Sequence, residues 1–141
     1  MYTHRMLVRF GDTDPAGLVY YPNLFHYFHI AMEEFFRQRC GLPYHELIAS
    51  QRIGFPTVNV ITEFNHPLVY GDEIEIEVTV AAVGNSSVTL EYRVLRELDG
   101  AVCAHSRQTH VTINLDSRRP LAIPESLRKV FYEELAEGSE G

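Results

Sequence analysis

Two aspartates, a proline and two glycines lie together in residues 11–17, within a run 10–23 that reads Phe-Gly-Asp-Thr-Asp-Pro-Ala-Gly-Leu-Val-Tyr-Tyr-Pro-Asn. Asp12 and Asp14 supply carboxylates, and the glycines and Pro15 favour a loop with defined turns. A carboxylate can attack an acyl carbon directly or activate a water molecule as a general base. The run therefore predicts an acyl-transfer site or, on residue types alone, a loop in which both aspartates form Asx turns.

A long helix is predicted directly after this loop, over residues 22–40, because Pro is favoured in a first helical turn and Gly41 suits the left-handed position after the end. The first backbone NH groups of a helix lack intrahelical acceptors and attract an oxyanion. If Pro22 is the first helical residue, the preceding Tyr21 has no short side-chain oxygen for capping and its NH is free for a ligand. If Asn23 is the cap instead, the Tyr21 NH still precedes the helix uncommitted.

A carboxylate beside an oxyanion donor is the smallest set of groups that acyl transfer needs. The carboxylate attacks the acyl carbon or activates water, and the donor stabilises the oxygen of the tetrahedral intermediate. One such donor lowers the barrier by roughly 2.7 to 4 kcal/mol. Because an aspartate is a weak nucleophile towards amides and ordinary esters, we expect an activated acyl group such as a thioester.

The remaining segments must position this loop and helix. We predict a first strand over His4–Phe10, a short helix over Pro43–Ser50 and a closing amphipathic helix over Pro124–Glu137, with fraying beyond it. Four strand-like runs bounded by turn residues lie between the last two: 55–65, 73–83, 87–97 and 101–114.

The long helix is apolar over most of its circumference, so it must be buried nearly all round, which only a sheet wrapped around it provides in a small protein. In the run 73–83, Ile and Val alternate with Glu and Thr, as in an antiparallel strand with one buried face. The sequence thus predicts an α+β fold in which one curled antiparallel sheet surrounds one helix.

Composition narrows the functional classes. The chain has 141 residues, 45% of them hydrophobic and 22% charged, which fits a single domain over 1–141. A net charge of -7 argues against a general electrostatic grip on nucleic acid or anionic lipid. Without an apolar run of about 18 residues or an apolar region in the first ten, we expect a cytoplasmic location and no membrane partner. Cys40 and Cys103 are expected to be buried thiols.

Other kinds of site fit the sequence less well. His26, His29 and Glu33 share a helix face and resemble metal ligands, but no HExxH pattern is present and interior or interface histidines are commoner, so no metal is expected. The chain has neither a GxSxG elbow nor a phosphate-binding GxxxxGK[ST] loop, which disfavours a serine hydrolase and a nucleotide site.

The run 10–23 resembles the signature of the 4-hydroxybenzoyl-CoA thioesterase family, whose members have the hot-dog fold, a helix wrapped by an antiparallel sheet. Weaker matches extend the resemblance over most of the chain: Gly41-Leu42-Pro43, Tyr70-Gly71-Asp72, Arg119-Pro120-Leu121 and Ile123-Pro124-Glu125. The resemblance implies hydrolysis of a small acyl-CoA, either aromatic, such as 4-hydroxybenzoyl-CoA, or short-chain, without a cofactor. Some relatives with short-chain substrates carry His in place of Tyr21, so the aromatic branch is the nearer match.

The resemblance also implies roles for individual residues. Asp14 corresponds to the catalytic carboxylate, which acts as nucleophile or general base, and the Tyr21 NH corresponds to the oxyanion donor. Gly17 corresponds to the glycine that lets the loop approach the substrate, with Pro15 and Tyr20 as neighbouring substrate contacts.

Two further implications concern coenzyme A and assembly. Arg118 and Arg119 are candidates for binding coenzyme A phosphates, although a solvated surface cluster is the alternative. A homodimer or homotetramer with active sites shared between subunits is expected. The rival interpretation is a noncatalytic module on the same fold that binds acyl-CoA or an acyl-carrier protein.

Overall fold

Five antiparallel strands form one sheet, and a long helix packs against it. The structure is a computed structural model that describes residues 1–135; residues 136–141 lie outside the description. The strands are β1 (Tyr2–Leu7), β2 (Ile53–Gly54), β3 (Thr57–Phe64), β4 (Glu73–Val83), β5 (Ser87–Arg96), β6 (Val102–Val111) and β7 (Ile113–Asn114). The helices are α1 (Tyr21–Arg39), α2 (Tyr44–Ala49) and α3 (Glu125–Glu133).

The main sheet has the order β1-β4-β5-β6-β3, and β2 pairs with β7 in a separate two-stranded sheet. The predicted alternation in β4 is confirmed, because Ile74, Ile76 and Val78 are fully buried while the intervening glutamates are not. On the covered face, Phe28 of α1 packs against Tyr92 of β5 with ring centroids 5.2 Å apart. This is the predicted α+β hot-dog architecture with a C-terminal helix.

Helix α1 buries one broad face rather than its whole circumference. The buried residues are Leu24, Tyr27, Phe28, Ala31, Met32, Phe35 and Phe36. In contrast, His26, His29, Glu33 and Arg37 are exposed. The expectation of burial nearly all round was therefore wrong for the single chain, because the sheet covers the helix from one side only. Phe131 of α3 adds cover by packing on the Phe35 ring, 6.3 Å away.

Several predicted boundaries are corrected by local hydrogen bonding. Strand β1 ends at Leu7 and not at Phe10, because residues 10–12 form a 3-10 turn in which the Asp12 NH donates to the Arg9 carbonyl. The predicted strand 101–114 is interrupted at Thr112, whose NH donates to the Ser86 carbonyl instead of a ladder partner.

The chain termini and cysteines differ in part from expectation. Helix α3 ends at Glu133, and the fraying expected from Glu137 onward lies outside the described residues. Cys103 is buried as predicted, whereas Cys40 at the end of α1 is only half-buried. Within residues 1–135, none of the helices combines the length and apolar character needed to cross a membrane.

One buried histidine joins β6 to the edge strand β3. His110 is 3% exposed, and its Nδ1 lies 3.0 Å from the Thr57 hydroxyl oxygen. Within the described part of the chain its Nε2 has no hydrogen-bond partner. Burial, with a smaller contribution from His29, lowers the pKa of His110 to about 4. The imidazole is therefore neutral at neutral pH.

This burial predicts an acid-sensitive fold. Between pH 6.5 and pH 4 the unfolded chain binds a proton at residue 110 that the folded chain excludes, so the free energy of unfolding falls as the pH falls through this window. From pH 7 to pH 5 we expect a loss of about 2 kcal/mol from this group. Urea unfolding at fixed protein concentration measures it. His110→Gln should lose this component, whereas the exposed His45→Gln should retain it; an identical pH dependence in both variants would contradict the assignment.

Candidate active site

The loop before α1 folds back on itself as a short antiparallel ladder. Thr13 pairs with Val19, and the Asp14 NH donates to the Leu18 carbonyl at 2.8 Å. One step further along, the Tyr20 NH donates to the Asp12 carbonyl at 3.0 Å. The ladder therefore places Asp14 at its turn, and its second strand ends at Tyr20, directly before the start of α1.

The turn of this ladder is built around the Asp14 carboxylate. Oδ1 of Asp14 accepts hydrogen bonds from the NH groups of Ala16 at 2.9 Å and Leu18 at 3.3 Å. Gly17 has φ of +82°, a left-handed conformation that side chains other than hydrogen disfavour, and this explains glycine there. The Asx turn considered from the sequence is thus present. Within residues 1–135 the second oxygen, Oδ2, has no hydrogen-bond donor and is the one open to chemistry.

Asp12 has a different role and ties the loop to the helix. Its Oδ2 accepts from the Tyr27 hydroxyl at 2.6 Å and from the Arg9 NH at 3.0 Å. Its carbonyl accepts from the Asn23 side-chain amide at 2.9 Å as well as from Tyr20. Burial and the bond to Asp12 raise the pKa of Tyr27, so the phenol stays protonated as donor. The sequence analysis did not identify Tyr27 as a partner of Asp12. The one signal in the sequence is a tyrosine on the apolar face of the helix, about one and a half turns from its start.

Helix α1 begins with an unpaired amide. Its first residue is Tyr21, and Tyr20 is the N-cap without a side-chain capping bond. Neither register considered from the sequence is correct, since Pro22 is the second helical residue and the Asn23 side chain bonds Asp12 instead of capping. The expected consequence nevertheless holds: within residues 1–135 the Tyr21 NH has no hydrogen-bond acceptor.

A cavity of about 290 Å³ lies between this loop and the segment that follows β3. Its lining residues are Leu18, Val19, Tyr21, Leu24, Phe64, Asn65, His66, Pro67, Leu68 and Cys103. The two walls are joined where the Val19 NH donates to the Leu68 carbonyl at 2.8 Å. Across the opening, the Tyr21 and Phe64 rings contact edge to face with centroids 6.4 Å apart. The cavity is therefore mainly apolar and aromatic.

The structure brings some predicted site residues together and leaves others apart. Tyr21 lines the cavity, but Asp14 does not; its nearest link is Leu18, which lines the cavity and exchanges hydrogen bonds with Asp14. Pro15 and Gly17 lie exposed in the Asp14 turn, outside the lining. The Tyr20 ring also lies outside it and contacts the Tyr21 ring at 5.5 Å.

The two arginines proposed for coenzyme A lie far from this cavity in the same chain. Arg118 and Arg119 are exposed in the turn after β7, where the Asn114 NH donates to the Arg119 carbonyl. That turn lies beyond the Thr57 end of β3, whereas the cavity lies at the Phe64 end, roughly 23 Å away along the strand. One chain alone does not place these arginines at the site.

His29 of α1 and Cys40, which follows α1, were weighed in the sequence as a metal ligand and a thiol, respectively. His29 Nδ1 lies 3.1 Å from a Glu33 carboxylate oxygen, an exposed ion pair when the imidazole is protonated. Residues 1–135 contain no group of three or more His, Cys, Asp or Glu residues arranged to hold a metal ion. Burial, with a contribution from Glu134, raises the pKa of Cys40 to about 12, so its thiolate is disfavoured.

Comparison with known proteins agrees with this architecture. Residues 8–131 match the thioesterase-like superfamily. A 1,4-dihydroxy-2-naphthoyl-CoA hydrolase from Synechococcus sp. (strain WH7803) is 31% identical over 86% of this chain and 82% of its own length. A hydrolase of the same name from Microcystis aeruginosa is 29% identical, covering 89% and 88%. The solved structure of a gentisyl-coenzyme A thioesterase has a TM-score of 0.82 at 32% identity, covering 90% of this chain and 99% of the other.

These matches confirm the predicted resemblance at the level of the superfamily, while the narrower 4-hydroxybenzoyl-CoA branch stays a prediction. The match spans the loop that carries Asp12 and Asp14, α1 and all strands from β2 to β7. The chain therefore belongs to the thioesterase-like superfamily.

Proposed function

We propose that the chain hydrolyses an aromatic acyl-CoA thioester to the free acid and coenzyme A. The observation that carries this proposal is the unpaired Tyr21 NH at the edge of an apolar cavity whose wall, at Leu18, is bonded to Asp14. The Tyr21 NH thus offers an oxyanion donor beside a space of suitable chemistry for an aryl group, and Asp14 is joined to the wall of that space through Leu18.

In the proposed reaction, the thioester oxygen accepts a hydrogen bond from the Tyr21 NH, which strengthens as negative charge develops on that oxygen. Asp14 Oδ2 attacks the acyl carbon or removes a proton from an attacking water molecule. Collapse of the tetrahedral intermediate breaks the carbon–sulfur bond. On the general-base route the departing thiolate takes the proton that Asp14 removed from water, and the acyl group leaves as the free acid. On the nucleophilic route the thiolate takes a proton from solvent, and water then hydrolyses the mixed anhydride between the acyl group and Asp14 to the free acid and the regenerated carboxylate. Because Oδ1 is held by two backbone NH groups, the carboxylate is oriented before substrate binds.

The size and lining of the cavity favour an aromatic acyl group over a short aliphatic one. Its volume of about 290 Å³ is nearly twice that of the roughly 150 Å³ cavity known to hold benzene, and Tyr21 and Phe64 offer ring edges and faces. The relatives' names describe 1,4-dihydroxy-2-naphthoyl-CoA and gentisyl-coenzyme A. Both acyl groups carry one hydroxyl ortho to the thioester and a second hydroxyl para to the first. We propose this hydroquinone pattern as the substrate class, ahead of 4-hydroxybenzoyl-CoA.

The edge strand β3 supports a site shared between two copies of the 1–141 domain. It has pairing partners on one side only and exposes Val58, Val60, Ile61 and Phe64. Antiparallel pairing of two β3 strands about a two-fold axis would cover these side chains. It would also bring the Thr57 end of one copy to the Phe64 end of the other, so that Arg118 and Arg119 of the partner subunit approach this cavity. The arginines then act on coenzyme A across the dimer.

The catalytic assignment predicts that Asp14→Asn lowers kcat by about 10² to 10⁴-fold while KM changes only a few-fold. Asparagine retains the Oδ1 acceptor for Ala16 and Leu18, so the turn is preserved while the carboxylate chemistry is lost. Thiol release from 2,5-dihydroxybenzoyl-CoA measures the effect. The control is Glu77→Gln, which removes a carboxylate that pairs with Arg93 and belongs neither to the cavity lining nor to the turn that carries Arg118 and Arg119.

Unchanged turnover in Asp14→Asn would refute the catalytic role and leave Asp14 as a turn residue. If the wild-type protein binds aryl-CoA and acyl-carrier thioesters but releases no thiol from any of them, the noncatalytic module is the better description.

The hydrogen bond between Tyr27 of α1 and Asp12 of the loop predicts an effect on both stability and turnover. Tyr27→Phe removes a hydrogen bond to a carboxylate, and we expect the free energy of unfolding to fall by about 2 kcal/mol. Because Asp12 also fixes the approach to Tyr21, kcat should fall as well, by about tenfold. Denaturant unfolding and thiol release measure the two effects. Tyr132→Phe, which removes an exposed hydroxyl on α3, should change neither the free energy of unfolding nor kcat. If the two variants have the same stability and the same kcat, the hydrogen bond between Tyr27 and Asp12 does not support the site.

The shared site predicts complementation between two defective variants. Arg118→Ala/Arg119→Ala should raise KM, and Asp14→Asn should abolish most turnover. In a mixed dimer, one site combines an intact Asp14 with intact arginines of the partner subunit. Coexpressed mixed dimers, isolated through two tags and assayed at low substrate concentration, should therefore exceed the mean activity of the two parent dimers. Activity at that mean, or a monomer at micromolar concentration in sedimentation, would exclude this arrangement.

A further inference from the structure

The wall of the cavity opposite the Tyr21 amide is a rigid segment. The NH groups of Asn65 and His66 both donate to the Cys103 carbonyl, at 2.8 and 3.2 Å. Pro67 restricts the residue before it to extended conformations. The Leu68 carbonyl is bonded in turn to the Val19 NH on the other wall. The backbone that carries residue 66 is thus held at both ends relative to the loop.

His66 lies just beyond the end of β3 and lines the cavity. The ring of Phe64, the last residue of β3, contacts Tyr21 and Phe25, so this end of the strand faces α1. His66 follows two residues later in a bend and lines the same cavity as Phe64.

His66 and Asn65 are the side chains on this wall that are free to bond a polar ligand atom, because neither has a side-chain hydrogen bond or ion pair to any residue in the range 1–135. Cys103, also polar, is buried, its Sγ lies 3.6 Å from the Ala101 carbonyl oxygen, and burial raises the pKa of its thiol, which leaves a weak donor. The His66 imidazole is exposed and carries a donor and an acceptor on one rigid ring.

We propose that His66 is a specificity-determining residue that hydrogen-bonds a ring hydroxyl of the acyl group. This inference rests on the proposed function, because it assumes that the aryl ring occupies the cavity. With the thioester carbonyl at Tyr21, the ring packs against the Tyr21 and Phe64 rings, and its hydroxyl on the far side meets the opposite wall. A neutral imidazole can donate to or accept from a phenol. In an apolar cavity a hydroxyl without such a partner loses binding energy, so the ring with the hydroxyl is selected through His66.

The test compares 2,5-dihydroxybenzoyl-CoA with benzoyl-CoA. The ratio of their kcat/KM values measures recognition of the hydroxyls, independent of the shared thioester chemistry. We expect the wild-type ratio to exceed about 10, and His66→Leu to lower it about tenfold by slowing the hydroxylated ester. His66→Gln, which keeps a donor and an acceptor, should retain most of the ratio. His45→Leu, at an exposed histidine on α2, is the matched control and should leave the ratio unchanged.

Different results would overturn the proposal. If His66→Leu slows both esters equally, His66 acts on the shared part of the substrate, such as the leaving thiolate, and not on the ring. If the wild type hydrolyses both esters at equal kcat/KM, the proposed function is supported and the proposed role of His66 is refuted.

A protein that hydrolyses neither ester would refute the proposed function, and equilibrium binding then decides the role of His66 separately. In calorimetric titrations, 2,5-dihydroxybenzoate should bind the wild type at least about tenfold more tightly than benzoate, and His66→Leu should remove the difference. Equal affinities of the two acids for the wild type would overturn the assignment.

Discussion

The hydrogen bonds to Asp12 fix the geometry on which the candidate site depends. One residue accepts four of them: its carboxylate binds the Tyr27 hydroxyl and the Arg9 NH, and its carbonyl binds the Tyr20 NH and the Asn23 amide. The Tyr20 NH is occupied in this way, and the next NH along the chain, that of Tyr21, has no acceptor among residues 1–135. The unpaired amide at Tyr21 is therefore a consequence of how the loop is attached to the helix.

The two aspartates of the loop have different hydrogen-bond partners because they occupy different positions in one ladder. They are two residues apart and pair with Tyr20 and Leu18, respectively. Asp12 reaches a phenol buried at 1% exposure and is held in the interior of the junction. Asp14 stands at the turn, where two backbone NH groups hold one oxygen and leave the other available. Identical side chains thus take different roles because their hydrogen-bond partners differ.

Much of the architecture could be predicted from local patterns. The bounds of β4 were predicted to the residue, because apolar alternation between two turn signals determines both ends. The predicted start of helix α1 was one residue too late. Proline fits either of the first two positions of a helix, and the hydrogen bonds of Asp12 to residues outside its own turn decide between them. The break at Thr112 depends on a bond to Ser86, 26 positions earlier, for which the sequence carries no local signal.

The candidate site was predictable in its chemistry but not in its spatial extent. Asp14 and Tyr21 are close in sequence, so a motif can name both. The cavity also needs Phe64 and His66, which reach the loop only through the pairing of β3 with β6 and the contact of Val19 with Leu68. The distance of Arg118 from the cavity is likewise a property of strand direction, which composition and spacing do not report.

The pairing of β1 with β4 constrains the order in which the nascent protein can acquire structure. The partner of Tyr2 is Val78, and that of Leu7 is Glu73. During synthesis, the first forty residues therefore emerge from the ribosome with neither a sheet to join nor a surface to cover the aromatic face of α1. Such contacts between distant parts of a chain form slowly and leave apolar surface open meanwhile. Strand β1 is made before its partner β4, so its pairing is completed late and the aromatic face of α1 stays uncovered until β4 has been synthesised.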